Sequence, residues 1–397
     1  MSENYGNFFE NNLFRYDSYM CDCREDIHHI SPLDNPLRTI KISSISTKPI
    51  SFAFAPKDGL LRLNSNGSIA ERNILGLLIS ISDSDISKLY DFFSNNGFLF
   101  PVSSDSYESM DLNSVQELIK HIRATVELMS ALGAVRKNYS EILQLCLYLI
   151  MSEPVSIRLS NGDTYVTCSH PFREKILNAA YPDTKERLRE AADGEFYHVA
   201  DTIYPPIFNF STDDYADIMS NTYTAAGSDN WFFMNIVNMY CLGTQEDANT
   251  RLLCDFLFHY EYEVGIIRNF EYRKSPEHYA NPISENFTDQ LKKQLLTIAK
   301  IVISEEINSN LSGIHPQYNV ETMAPTWKVD SLLSAIYFSI FYMKPELELY
   351  RQCANPNCRR YFLVRSTSTR NKYCSPECCN RMSQSMYRKR KREREQA

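Results

Sequence analysis

The most chemically specific stretch of this 397-residue sequence is a group of five cysteines near its C-terminal end. Four residues separate Cys353 from Cys358, three separate Cys374 from Cys378, and fifteen lie between the two pairs. A pair at such spacing forms a knuckle that presents two sulfurs to one ion, and four thiolates complete the tetrahedral coordination of Zn²⁺. The spacing therefore predicts one structural zinc ion with no coordination position left for a reacting water.

A fifth cysteine, Cys379, follows Cys378 directly, and the spacing alone leaves the fourth ligand open between the two. Adjacent cysteines rarely both reach one ion. Reduced cysteines in a small apolar cluster are the alternative, but this polar and basic segment cannot build an apolar core around them. A zinc ion with four thiolates carries a net charge of about −2. Nearby cations that could offset it are Arg359, Arg360, Arg370 and Lys372.

A basic run follows the cysteines. Residues 388–394 include six Lys and Arg, and no Gly or Pro interrupts the run from residue 380 onward, so we expect a helix. Arginine side chains clamp phosphate and read guanine with two hydrogen bonds. The predicted nucleic-acid contacts are Arg381, Arg388, Lys389, Arg390, Lys391 and Arg392. The same run could also be a solvated basic end, or could dock on the acidic remainder of the chain or on a protein partner.

Charge divides the sequence into two parts. Residues 351–397 have 13 Lys and Arg against 3 Asp and Glu, a net charge of +10, whereas the preceding 350 residues have a net charge of −18. This asymmetry predicts two parts with different partners. Because the acidic part repels DNA, contact with nucleic acid should be confined to the C-terminal part.

The end of the chain resembles the CGNR zinc finger. In "YCSPECCNRMSQSMYRKRKR" a Tyr-Cys-Ser opens the second knuckle, and Asn380-Arg381 occupies the position of the family's Asn-Arg pair. The resemblance implies that Cys353, Cys358, Cys374 and Cys378 are the ligands. It also puts Cys379 where the family usually has glycine. Many such fingers end bacterial proteins behind a larger helical domain, and the family is regarded as DNA-binding and regulatory.

The rest of the sequence predicts an α+β protein. Its body is mainly helical and contains short β-hairpins, and a small four-cysteine finger and a basic helix follow it. Residues 1–35 look polar and irregular. Asn66-Gly67 and Asn161-Gly162 predict hairpin turns. Apolar residues recurring every three or four positions, or nearly continuous, predict the main helices. These lie near residues 85–97, 112–132, 139–153, 287–311 and 330–344.

We expect a body of residues 1–350, subdivided near 170 and 285, followed by the finger and helix at 351–397. Eleven cysteines without a secretory signal predict a reducing cytoplasmic location, and no apolar run is long enough to span a membrane. Cys21 and Cys23 lie near His28 and His29, which makes a second metal site conceivable. Two reduced cysteines in a polar segment are the simpler interpretation.

Three functions remain open at this point. The sequence favours a zinc-finger protein that binds DNA as a transcriptional regulator, with a body that senses a signal or forms a homodimer. The first alternative is a zinc-stabilised protein that binds an acidic partner protein and no DNA. An enzyme with its site in residues 170–285 is the second, and it is disfavoured because the sequence contains no familiar catalytic motif.

Overall fold

The computed structural model describes residues 14–28, 37–55, 58–159, 162–167, 169–179, 230–242, 247–320, 323–345, 348–365, 367–368 and 371–395. No helix among these residues is long and apolar enough to cross a membrane. The chain divides into two compact units. Unit 1 comprises residues 1–135, 155–167 and 306–397, and unit 2 comprises residues 136–154 and 168–305. The predicted boundary at residue 350 stays a prediction.

The helices and strands are numbered in chain order. The helices are α1 (Ile74–Ile79), α2 (Ile86–Asn96), α3 (Leu112–Gly133), α4 (Tyr139–Met151), α5 (Pro171–Leu177), α6 (Trp231–Leu242), α7 (Ala248–His259), α8 (Asp289–Ser309), α9 (Leu332–Phe341) and α10 (Pro376–Glu395). The strands of the largest sheet are β1 (Arg15–His28), β2 (Leu37–Ala55), β3 (Gly59–Leu63), β4 (Ile69–Glu71) and β5 (Glu108–Asp111). The strands of the short antiparallel pairs are β6 (Ser156–Arg158), β7 (Thr164–Val166), β8 (Ile267–Asn269), β9 (Glu277–His278), β10 (Ile314–Asn319), β11 (Ala324–Val329), β12 (Glu348–Gln352) and β13 (Tyr361–Arg365).

The periodic segments form the helices that the sequence predicts at these positions, and the mixture of helices and antiparallel strands agrees with the α+β class. The largest sheet has five strands, more than the short hairpins that the sequence predicts. The turn at Asn66-Gly67 joins β3 to β4, with Gly67 in the left-handed region at φ 80°. A turn joins β6 to β7 as predicted, although Asn161 lies outside the described residues. Most of the stability of such helices comes from tertiary packing of an apolar face rather than from helix propensity.

The prediction that residues 1–35 are irregular is wrong for β1. This strand pairs antiparallel with β2 over almost its whole length, with a register shift between Tyr19 and Cys21. It pairs with a neighbour on one side and carries many charges, as edge strands commonly do, so its sequence shows little apolar alternation. Charged pairs across the ladder, such as Lys41 with Asp26 at 2.5 Å, replace the apolar contacts that a sequence reading expects.

Strand β2 organises unit 1. Because β1 occupies one of its edges, β3 and β5 share the other edge, β5 at Thr39–Ile42 and β3 at Ser51–Ala55. Helix α9 packs on this sheet through aromatic rings: Phe338 meets Phe14 at 4.9 Å and Phe54 at 6.0 Å between centroids, both edge to face. The sheet, α9 and α3 thus supply the core that supports the C-terminal segment.

Helices α1 and α3 form a fixed platform. Arg123 of α3 is only 2% exposed, and its Nε donates to the backbone oxygen of Ile79 at 2.8 Å. Its guanidinium also donates to the backbone oxygen of Ile81 and pairs with Asp83 at 3.3 Å. One buried cation therefore satisfies carbonyls at the end of α1 that the helix itself leaves unpaired.

The hairpin β12–β13 docks on this platform at a place where only glycine fits. A Cβ added to Gly133, the last residue of α3, would lie 2.3 Å from the backbone oxygen of Pro345 and 2.3 Å from Leu349 Cδ2. Beside this contact the backbone nitrogen of Tyr350 donates to Ser130 Oγ at 3.2 Å. The missing side chain at Gly133 allows β12 to approach α3.

Replacing Gly133 by Ala should therefore destabilise unit 1. The new methyl group forces a backbone shift in the segment that enters β12, and overpacking of this kind costs about 1–3 kcal/mol. Thermal unfolding of the full chain should show a lower midpoint for one transition. An unchanged midpoint would mean that β12 does not approach α3 as described.

Candidate metal centre

The first cysteine knuckle lies between β12 and β13. Asn355 shapes it: its Oδ1 accepts from the backbone nitrogen of Asn357 at 3.1 Å, and its backbone oxygen accepts from that of Cys358 at 2.9 Å. The backbone of Cys353 closes the turn by donating to the oxygen of Arg360 at 2.9 Å. This turn brings the two cysteines at its ends back together.

The second knuckle leads into α10. Its serine caps the helix, because Ser375 Oγ accepts from the backbone nitrogen of Cys378 at 3.3 Å, and Pro376 stands at the first helical position, where its missing N–H costs nothing. Cys374 lies just before the helix, and its backbone nitrogen approaches Cys353 Sγ at 3.5 Å. The β12–β13 hairpin and the first turn of α10 thus face each other, with the cysteines between them.

The structure brings together the four cysteines that the sequence singles out. Their sulfurs all lie within 4.8 Å of one another. The distance from Cys358 Sγ to Cys374 Sγ is 3.5 Å, and from Cys374 Sγ to Cys378 Sγ it is 3.7 Å. A tetrahedral ion with Zn–S bonds of about 2.3 Å separates its sulfurs by about 3.8 Å. The geometry therefore fits Zn²⁺, and we call Cys353, Cys358, Cys374 and Cys378 the four-cysteine group.

The adjacent cysteine does not belong to this group. Cys378 is buried and in it, whereas Cys379 is exposed and outside it. Successive residues of an α-helix point about 100° apart, so only one of two neighbours in the first turn of α10 can face the other knuckle.

Burial and crowding set the thiol acidity of the group in its metal-free form. Burial, followed by the hydrogen bonds to the neighbouring thiols, raises the pKa of Cys374. For Cys378, burial acts in the same direction, but hydrogen bonds from Cys358 and Cys374 outweigh it and lower the pKa of its thiol. Since four sulfurs this close cannot all carry charge unaided, a cation is needed to hold them as thiolates.

The cysteine hairpin is tied to the α1–α3 platform through Asn73. This residue caps α1 from the left-handed region, at φ 59°, which asparagine tolerates better than most residues. Its Oδ1 accepts from Tyr350 Oη at 2.7 Å, and its Nδ2 donates to the backbone oxygen of Tyr361 at 3.3 Å. The backbone of Tyr361 donates in turn to Ser80 Oγ at 2.7 Å. Both strands of the β12–β13 hairpin are therefore hydrogen-bonded to residues at the two ends of α1.

Residues 350–391 match the family model of the CGNR zinc finger. A CGNR zinc finger is thus present, and we refer to these residues as the finger. Comparison of the chain with curated proteins and with solved structures found no match to either. The family match covers both knuckles and most of α10.

The predicted nucleic-acid residues lie on α10. Arg381 is exposed in its first turns, and Arg388, Lys389 and Arg390 are exposed farther along. Lys391 and Arg392 fall within the helix bounds, and their side chains lie outside the described part. From Cys379 to Arg390 only Met382 is partly buried, so this stretch of helix packs against almost nothing in the described chain.

The cysteines near the N-terminus do not form a second metal site among the described residues, where the four-cysteine group is the one cluster suited to an ion. Cys21 and Cys23 lie two residues apart on β1, hence on one face of the strand. Burial raises the pKa of Cys21 to about 11 and that of Cys23 to about 12, so both thiols stay protonated. The side chains of His28 and His29 lie outside the described residues.

Unit 2 contains a buried polar cluster that the sequence analysis missed. Asp255, His259 and Glu263 follow at intervals of four along α7 and the π-helical turn Tyr260–Val264. His259 Nδ1 lies 3.0 Å from Glu263 Oε1, and its Nε2 lies 3.7 Å from Asp255 Oδ1. Burial lowers the pKa of His259 to about 4, which keeps the ring neutral. The interval of four was a signal that these side chains share one helix face.

Glu261 lies in the same turn without such support. It is 1% exposed, and neither carboxyl oxygen has a hydrogen-bond partner among the described residues. Burial raises the pKa of this carboxyl well above its ordinary value, so the folded protein holds it protonated. Unfolding releases the proton once the pH exceeds the ordinary pKa of glutamate. The contribution of Glu261 to the free energy of unfolding therefore falls as the pH rises above about 4.5, until the pH reaches the pKa of this carboxyl in the folded protein.

Replacing Glu261 by Gln should accordingly stabilise the protein near neutral pH. The amide has the shape of the protonated carboxyl but cannot ionise in the unfolded chain. The free energy of unfolding should therefore rise by up to about 3 kcal/mol at pH 7 and much less at pH 5. Thermal or urea unfolding at both pH values measures this. Glu277→Gln, at an exposed position, is the matched control and should change neither value. Equal effects of E261Q at both pH values would contradict the buried protonated carboxyl.

Proposed function

We propose that this chain is a cytoplasmic, zinc-dependent DNA-binding protein that regulates transcription. The four-cysteine group holds one structural Zn²⁺, and α10 contacts the phosphate backbone of duplex DNA. The observation that carries this proposal is a helix that starts inside the knuckle and continues outward without burial. The body then senses a signal or forms a homodimer.

Zinc binding is supported by the donor set and its spacing. Thiolate is the ligand that zinc prefers in structural sites, and four of them close the coordination sphere. The sulfurs already stand at separations suited to a tetrahedron. A closed sphere leaves no position for a substrate, so we propose a binding role for this site rather than a catalytic one.

The position of α10 supports nucleic-acid contact. Cys378 anchors the first turn in the knuckle, so the orientation of the helix follows from the metal site. The 20 residues of α10 extend for about 30 Å, enough to lie along a groove. Arg388 and Arg390 make no ion pair with the described residues, so their guanidinium groups remain available to phosphates. Recognition of the DNA backbone requires cationic side chains that are exposed and held at a fixed position. A helix that starts in the metal site and continues with exposed cations provides both.

A second candidate, an acidic protein partner, is supported by one feature of the same helix. Met386 and Tyr387 are 48% and 71% exposed beside the basic run. Exposed methionine and aromatic side chains are common in helices that enter a groove of another protein. The two candidates differ in their response to salt and in whether DNA is needed.

The adjacent cysteines provide a matched test of the metal site. Protein purified without chelator should contain about one zinc per chain. Cys378→Ser should lose most of it, because its sulfur belongs to the four-cysteine group, whereas Cys379→Ser should keep it. Metal analysis of the purified variants measures this. If Cys379→Ser lost the zinc and Cys378→Ser kept it, the helix would begin in a different register from the one described.

Removing charge from the basic run tests DNA binding. We define the tail cations as Arg388, Lys389, Arg390, Lys391 and Arg392. Replacing all five by Gln should weaken binding to every duplex sequence and flatten its salt dependence, because each lost phosphate contact reduces the log–log slope by about 0.9. Fluorescence anisotropy of a labelled duplex between about 50 and 200 mM salt measures this.

The control for that experiment removes the same number of exposed cations elsewhere. These are Lys48, Arg268, Lys274, Lys293 and Lys328. The control protein should keep the parental slope. If the tail variant also kept it, the basic run would not be a DNA surface, and the protein-partner candidate would replace it. Arg381 lies nearest the knuckle, where the position of the helix is best fixed, so we propose it as the contact that reads a base. R381Q should therefore cost about 1–3 kcal/mol of DNA-binding free energy, mainly on a preferred site.

A further inference from the structure

One arginine side chain of β12 holds the loop that leads from β13 to the second knuckle. Arg351 Nη1 donates to the backbone oxygen of Ser368 at 3.0 Å and to that of Asn371 at 2.9 Å. Hydrogen bonds from a charged donor such as a guanidinium are shorter and stronger than those between neutral groups. Because Arg351 stands just before the first knuckle, it joins the start of one knuckle to the approach of the other.

Backbone contacts between the two knuckles follow the same course. The backbone nitrogen of Ala354 donates to the backbone oxygen of Lys372 at 2.8 Å. Two residues farther along, the backbone nitrogen of Cys374 approaches Cys353 Sγ at 3.5 Å. The segment that enters the second knuckle thus runs along the first knuckle, and its contacts bring Cys374 toward the other sulfurs.

Arg351 supplies the side-chain part of this attachment. Its two acceptors lie six and three residues before Cys374, so the side chain fixes the loop just ahead of a ligand. Gathering four sulfurs around one ion requires closure of the loop between the knuckles, and a flexible loop pays conformational entropy when it closes. A loop that is already held at two carbonyls restricts the positions open to Cys374 before the ion arrives.

We propose that Arg351 is a positioning residue for the zinc site, which places Cys374 for coordination by holding the carbonyls of Ser368 and Asn371. This inference rests on the proposed zinc binding and deepens it. The charge of Arg351 is used inside the finger, although the sequence counts it among the cations of the basic C-terminal part. Its removal should therefore weaken zinc binding while every ligand stays in place.

Arg351→Met tests this role in the full-length protein, because methionine keeps an apolar stem and has no hydrogen-bond donor. Zinc affinity, measured by competition with a chromophoric chelator, should fall by about tenfold or more, the usual effect of losing a group that orients a metal ligand. Arg351→Lys should recover part of that loss, since a single nitrogen makes both hydrogen bonds in the parent and an ammonium has three donors.

Arg365→Met is the matched control. It removes an exposed arginine from β13 of the same hairpin, and it should keep the parental zinc affinity.

The reactivity of individual cysteines separates a positioning role from general support of the fold. In the zinc-loaded protein, R351M should speed alkylation of Cys374 by N-ethylmaleimide several times more than that of Cys353 and Cys358. A loss of overall stability would instead expose all of these sulfurs to a similar degree. Tandem mass spectrometry of the digested protein assigns the label to each cysteine.

Three results would each overturn the inference: parental zinc affinity in R351M, an R351K protein that binds zinc no better than R351M, or alkylation that rises equally at all members of the four-cysteine group. A parental protein that binds no zinc would overturn the proposed zinc site together with it. If the parent binds zinc and R351M binds it equally well, the proposed function stands and only the role of Arg351 is removed.

Discussion

Four sulfurs that must share one small volume constrain the whole C-terminal part of the molecule. All of them lie within 4.8 Å of one another, closer than ionised thiolates tolerate without a cation between them. The surrounding segment is too polar to replace this interaction by an apolar core. The turn at Asn355, the start of α10 and the outward course of the basic run all follow from the closure of the four-cysteine group. A divalent ion that prefers thiolate is the simplest way to satisfy that constraint.

The finger is also part of a larger packing arrangement. Asn73, Ser80 and Gly133 belong to the N-terminal elements, yet each contacts the β12–β13 hairpin. Arg123 holds the two helices that provide these contacts. The hairpin that carries Cys353 and Cys358 is therefore held directly against α1 and α3.

Local chemistry made the metal site and the main helices predictable from sequence. Cysteine spacing indicates a knuckle directly, and apolar periodicity indicates α3 and α8. A nearly continuous apolar run indicates α9, whose residues from Leu332 to Ile340 are all buried. Strand β1 escaped prediction because its pairing partner, rather than its own pattern, makes it a strand. The contacts of Tyr350 and Tyr361 with Asn73 join residues nearly three hundred positions apart, and nothing in either local sequence announces them. The regular interval of four residues from Asp255 to Glu263, by contrast, is visible in the sequence.

X-ray absorption at the zinc edge of the purified full-length protein tests the central claim most directly. A closed four-cysteine site predicts a single shell of four sulfur neighbours at about 2.3 Å and no nitrogen or oxygen bound to the zinc. The same spectrum should be obtained for the variant in which Cys379 is replaced by serine. A protein without zinc, or a first shell in which light atoms replace one or more sulfurs, would contradict the closed four-cysteine site on which the proposed orientation of α10 rests.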